Sequence, residues 1–202
     1  MKEVTIISIL LSGILTNNMI LSKFLGICPF LGVSKKVNTA FSMSVAVIFV
    51  MVIATAVTYP IYYFLLLKND LEYLETIIFI LVIAAIVQFI EIFLKKYIKS
   101  IYNALGIYLP LITTNCAILG ITMLNLTDFD ASKFGFVKLY GFSLLNAVAY
   151  GVGYMVSMIL FAGVRQRLET SDVPEFMKGL PITLVAAALC SLSFLGFAGI
   201  GG

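Results

Sequence analysis

Two cysteines in this 202-residue chain open the same phrase inside apolar sequence, Cys28-Pro29-Phe30-Leu31-Gly32 and Cys116-Ala117-Ile118-Leu119-Gly120. Thiolate is the soft ligand that suits iron–sulfur clusters, zinc and Cu(I). The chain has no histidine, so the pair points first to a soft metal site. Two thiolates do not close such a site, because Fe–S and tetrahedral zinc centres usually take four protein ligands. Two matched half-sites therefore call for a second polypeptide to bring the rest. A small buried hydrophobe is the ordinary role of a free cysteine. The third cysteine, Cys190 in Ala188-Leu189-Cys190-Ser191, has no repeated phrase and no helix breaker beside it, and reads as packing.

The elements that carry these residues are set by composition. Hydrophobic residues make up 61% and charged residues 11%, against roughly 45–50% and 25% in a soluble domain, and the mean hydropathy is +1.10. The expected fold class is all-α integral membrane. Apolar runs separated by charge give six spans, at about 4–22, 40–66, 74–94, 101–124, 136–163 and 180–198, each long enough to cross about 30 Å of hydrocarbon. Met1-Lys2-Glu3 leads into the first run without a small-residue cleavage site, so it reads as a span and not a removable signal. Lys23, Lys35, Lys36, Lys95, Lys96, Lys99, Arg165, Arg167 and Lys178 fall on one face. Lys2, Lys68, Lys133 and Lys138 fall on the other, diluted by Asp70, Glu72, Glu75, Asp128 and Asp130. By the positive-inside rule the first face is cytoplasmic, so both termini are outside. There is no C-x-x-C pair, Gly-rich nucleotide loop, nucleophile elbow or His/Asp pair. That argues against bond-making chemistry on this chain alone; an electron relay needs none of these.

An internal repeat divides this single membrane domain into halves of three spans, about 1–96 and 97–202. Leu21 and Leu109 stand at the heads of the two cysteine phrases, and Phe41-Ser42 and Phe142-Ser143 open the helices after them. Three is odd, so the halves enter the membrane in opposite senses; such inverted repeats place their functional site at the repeat interface, often on discontinuous helices. From Val4 to Val33 one straight helix would run about 45 Å, so it must break. The candidates are Asn17-Asn18 and the Gly26-Ile27-Cys28-Pro29 turn, with Pro110 and Thr113-Thr114-Asn115 preceding Cys116 in the same way. The polar residues Asn17, Asn18, Thr113, Thr114 and Asn115 have two readings. Either they orient amides toward cluster sulfurs, or they repair the broken helices and bond across to neighbours. Glu91 is an intramembrane acid, but with Lys95 four residues on it reads more readily as a solvated pair. Lys23 reads as snorkelling to the interface. Ala147-x3-Gly151 and Gly153-x3-Ser157 mark a close helix–helix contact. Tyr59, Tyr62, Tyr63, Tyr97 and Tyr102 read as interfacial anchors.

The run Asn17-Asn18-Met19-Ile20-Leu21-Ser22-Lys23-Phe24-Leu25-Gly26-Ile27-Cys28-Pro29-Phe30-Leu31-Gly32, with Leu109-Pro110-Leu111-Ile112-Thr113-Thr114-Asn115-Cys116-Ala117-Ile118-Leu119-Gly120, closely resembles the RnfA family, the A subunits of Rnf complexes. That family is related to the E subunit of the sodium-translocating NADH:quinone oxidoreductase. The resemblance covers essentially the whole chain. It implies membership of a redox-driven ion translocase in the bacterial inner membrane, exchanging electrons between ferredoxin and NAD coupled to Na⁺ or H⁺ movement. It also implies a homologous six-span partner of opposite orientation, the Rnf E subunit (RnfE), with the B, C, D and G subunits completing the complex. Cys28 and Cys116 would then supply two ligands, and the partner two, to one intramembrane 2Fe-2S cluster. An electron added to such a buried cluster is costly in low dielectric and would favour cation entry or a gate movement. The alternatives are a small inverted-repeat secondary transporter without a redox centre, for which the same broken helices would form a substrate site, and a purely structural scaffold.

Overall fold

The first predicted span already departs from a plain helix. A computed structural model of the chain describes residues 10–66, 72–97, 109–128 and 136–196, and these are helical, turn or irregular, with no strand among them. The first described residues are helical, widen into a π-helical turn at Ser12–Thr16 and stop at Asn17. After an irregular stretch come α1 (Ile27–Val33) and α2 (Val37–Ile61), the latter extended by a π-helical turn at Tyr62–Leu66. Then follow α3 (Glu75–Tyr97), the short α4 (Leu109–Thr113), α5 (Cys116–Asp128), α6 (Phe136–Glu169) and α7 (Leu180–Leu195). The segments 4–9, 101–108 and 197–198 of the predicted spans lie outside the described residues, as do Lys2, Lys68, Asp70, Lys99, Tyr102, Asp130 and Lys133.

Among the described residues, four segments are long and apolar enough to cross a membrane: Val37–Leu66, Glu75–Phe93, Pro110–Thr127 and Phe136–Glu169. This is an all-helical, multi-pass membrane protein. At 16 residues α7 is shorter, about 24 Å of helix. The chain packs as two compact units that do not coincide with the two sequence halves. One joins the ends of the chain, Met1–Val45 with Ala149–Gly202, and the other is Ala46–Val148.

In the first unit the N-terminal segment lies against α6 with backbone nearly touching backbone. A Cβ on Gly153 would sit 2.6 Å from the Gly13 carbonyl oxygen, and one on Gly13 would sit 3.0 Å from Ala149 Cβ. The small residues of α6 therefore do make the expected close contact at Gly153, whereas Gly141 faces open space. Phe30 of α1 stacks on Phe161 of α6 with ring centroids 4.2 Å apart, and the Ser191 hydroxyl donates to the Leu21 carbonyl at 2.6 Å.

The second unit has its own logic. Pro60 lies inside α2 and has no N–H to give to the carbonyl four residues back, which is that of Ala56. The Tyr140 hydroxyl donates to that carbonyl instead, at 3.3 Å. Tyr59, Tyr63, Phe64, Phe136 and Tyr140 form one aromatic cluster around it. Tyr59 is thus a buried packing residue, not the interfacial anchor its place near a span end suggested. Deeper in the same unit Asn146 donates to the Asn125 side-chain oxygen at 2.8 Å, and Asn125 donates to the Ser143 carbonyl at 3.4 Å. Helices α4 and α5 pack on α3.

Candidate functional site

Cys28 belongs to the first unit and Cys116 to the second. Each sits just beyond a helix break.

Upstream of Cys28 the break runs from Asn17 to Gly26. Asn17 donates from its backbone N–H to the Ser12 carbonyl at 2.7 Å and from its side chain to Ser12 Oγ at 2.9 Å. The carboxamide of Asn18, wholly buried, does more. Its Nδ2 donates to the carbonyls of Ile14 and Gly153, and its Oδ1 accepts from the N–H groups of Ile20 and Leu21. Phe24 (φ 57°) and Gly26 (φ 83°) then take left-handed conformations, which reverse the local winding and let a new helix start at Ile27. Gly26 does this without strain, while Phe24, a non-glycine residue more than half exposed, holds an uncommon backbone state. Cys28 and Pro29 fall in the first turn of α1. Proline does not break the chain here, contrary to the sequence expectation, because first-turn N–H groups have no intrahelical acceptor to lose.

The second break is shorter. Pro110 lies within the described part of α4, and the helix ends at Thr113. Thr114 donates from its hydroxyl to the Pro110 carbonyl at 2.9 Å, and Asn115 Oδ1 accepts the Ala117 N–H at 3.0 Å as the cap of α5. Cys116 is the first residue of that helix. Asn18 and Asn115 thus do repair broken helices, in line with one of their two readings. The Nδ2 of Asn115 is buried and has no hydrogen-bond partner among the described residues. A buried, unpaired N–H donor costs about 1–3 kcal/mol, so this one, on the residue before Cys116, fits an acceptor that the described residues do not provide.

In the isolated chain Cys28 is exposed, and Cys116 and Cys190 are half-buried. Cys28 opens on a cavity of about 830 Å³ in its own unit, walled by Leu31, Leu168, Val173 and Leu180 and carrying Lys35, Arg165, Lys178 and Glu169. Among the described residues no three Cys, His, Asp or Glu gather where a metal could sit. These residues would hold an iron–sulfur cluster only together with ligands from another chain. Glu91 is half-buried on α3, one turn ahead of the lysines that end the helix, and Lys23 is exposed within the first break.

Two residues of this region escape a reading of the sequence alone, which marks Arg165 only as an orientation charge and gives Phe161 no role. Their i, i+4 spacing on α6 is the available signal.

The sequence model described as "Rnf-Nqr subunit, membrane protein" matches residues 6–201. The chain belongs to the Rnf-Nqr membrane subunit family. Among its relatives in that family, the A subunit of a Na(+)-translocating ferredoxin:NAD(+) oxidoreductase complex from Acetobacterium woodii is 50% identical, over 97% of this chain and 98% of its own. The A subunit of the ion-translocating oxidoreductase complex of Syntrophotalea carbinolica is 47% identical, over 95% of each chain. Its counterpart from Azoarcus is 48% identical, again over 95% of each. The resemblance seen in the cysteine phrases thus extends along the whole Rnf-Nqr chain.

Proposed function

We propose that this Rnf-Nqr protein is the A subunit of an inner-membrane, ion-translocating ferredoxin:NAD⁺ oxidoreductase of the Rnf type. We propose further that it carries half of the ligands of an intramembrane 2Fe-2S cluster. Membership in the complex is supported by the near-full-length identity to other A subunits. The relay is carried by one observation: both repeated cysteines occupy the first turn of a helix that restarts after a break inside apolar sequence.

On this reading Cys28 and Cys116 each give one thiolate, and a homologous six-span protein of opposite orientation, the Rnf E subunit, gives the other two. When bound, the cluster supplies one-electron chemistry. The chain's own part is to hold the thiolates rigidly and dress them with donors. Asn18 fixes the path of the first break, Asn115 caps the second helix, and the unpaired Asn115 Nδ2 is a donor suited to a sulfur acceptor. The six spans are arranged as inverted repeats with both termini outside, and Na⁺ or H⁺ is moved by the assembled complex with its B, C, D and G subunits.

The test is EPR and iron analysis of the purified complex. Wild type is expected to show a reduced 2Fe-2S signal that Cys28→Ser and Cys116→Ser each abolish, while Cys190→Ser keeps it. A signal surviving in both of the first two variants sinks the assignment. An iron-free complex that still binds a solute would favour a secondary transporter.

A further inference from the structure

The C-terminal end of the helix that carries Cys28 is bonded by a side chain 131–134 positions further along the chain. Arg165, half-buried near the end of α6, donates from Nη1 to the Leu31 carbonyl at 2.5 Å and to Ser34 Oγ at 3.0 Å. Leu31 and Ser34 form the last turn and the C-terminal cap of α1, where carbonyls lack intrahelical donors. One turn earlier on α6, Phe161 stacks on Phe30. The seven-residue helix that presents Cys28 is therefore held at two points by one neighbour. Seven residues are too few for a helix to be stable by itself, so its placement depends on this clamp.

The clamp is charged. Arg165 forms no ion pair among the described residues, Glu169 one turn on included. Its remaining N–H donors have no protein partner there. Arg165 and Cys28 line the same cavity. Of the other two cations in that cavity, Lys35 is exposed, and Lys178 is exposed and paired with Glu175 at 4.0 Å.

We infer that Arg165 is the positioning residue of the Cys28 helix, and that its guanidinium sets a positive potential at the Cys28 sulfur. On the cluster reading, which this inference deepens, that charge stabilises the reduced state and raises the reduction potential.

Two measurements decide it, and the first needs no cluster. In the assembled complex carrying Cys116→Ser and Cys190→Ser, Cys28 is the only thiol left in this chain, and its modification by an anionic and by a cationic methanethiosulfonate can be read on the separated chain. Arg165→Gln is expected to lower the anionic-to-cationic rate ratio about fivefold, and Arg165→Lys to restore most of it. Glu169→Gln, which removes the acid from the same cavity, should move the ratio the other way. An unchanged ratio in Arg165→Gln overturns the inference. Should that variant fail to assemble, an unchanged ratio in Glu169→Gln overturns it. The second measurement is a redox titration of the EPR signal in the complex with all cysteines present. Arg165→Gln should lower the midpoint potential, with Arg165→Lys near wild type, and an unmoved potential overturns the inference. If wild type is iron-free, the cluster reading falls by itself, and the reagent ratio at a then-free Cys28 still decides the role of Arg165.

Discussion

The carboxamide of Asn18 satisfies two carbonyls and two backbone N–H groups at once, a combination open only to a side chain with both a donor and an acceptor end. Asn18→Asp keeps the acceptor and loses both donations, and Asn18→Ala loses all four. Each buried group left unpaired costs about 1–3 kcal/mol, and a buried carboxylate facing two carbonyls costs more, so both variants should lower the unfolding midpoint of the purified complex. On the proposed function both should also lower iron per complex. Gly153 makes a steric demand of a different kind. Its missing Cβ is the space that the Gly13 carbonyl occupies, so Gly153→Ala should cost about 1–3 kcal/mol through backbone displacement. Gly141→Ala, facing open space on the same helix, should be close to neutral, and a thermal melt of the two variants side by side checks the contrast.

Among the elements, α2 shows how a proline is tolerated in mid-helix at membrane depth. Pro60 frees the Ala56 carbonyl, and Tyr140 takes it. Interhelical hydrogen bonds in lipid are worth about 0.6–2 kcal/mol, so Tyr140→Phe should destabilise by that amount. In a Pro60→Ala background, where residue 60 can donate again, the same change should cost less. A double-mutant cycle on unfolding measures the coupling, and additivity would refute the account. Much of this element plan was legible in the sequence. The long apolar runs placed α2, α3 and α7 to within a few residues and the start of α6, which runs six residues past the expected end at 163, and Asn17 and Thr113 marked where helices end. Pro29 misled, because a proline looks alike on paper whether it breaks a helix or begins one, and here the left-handed Gly26 three residues earlier decides. Arg165 was hidden for a related reason. Its partners lie more than 130 residues away, and no local period reports which helix end a charge will cap.

For the molecule as a whole, charge asymmetry between loops is the feature most directly legible in the chain and least expressed in contacts. On the proposed orientation, single cysteines placed at Lys178 and Arg167 should react with a membrane-impermeant maleimide only in inside-out vesicles. One placed at Tyr73, an exposed residue beside α3, should react only in right-side-out ones; the reverse pattern would invert the topology. The bond from Asn18 to Gly153 spans 135 residues, and it carries a consequence for biosynthesis. A ribosome adds about 5–20 residues per second, so on the proposed topology the N-terminal segment reaches the membrane on the order of ten seconds before the carbonyl that completes it has been made. Throughout that interval half of the Asn18 donor capacity lacks its final acceptor in a solvent that offers none. On the proposed topology that unpaired donor favours keeping the nascent first span at a water-lined or protein-lined site of the insertion machinery until α6 arrives to receive it.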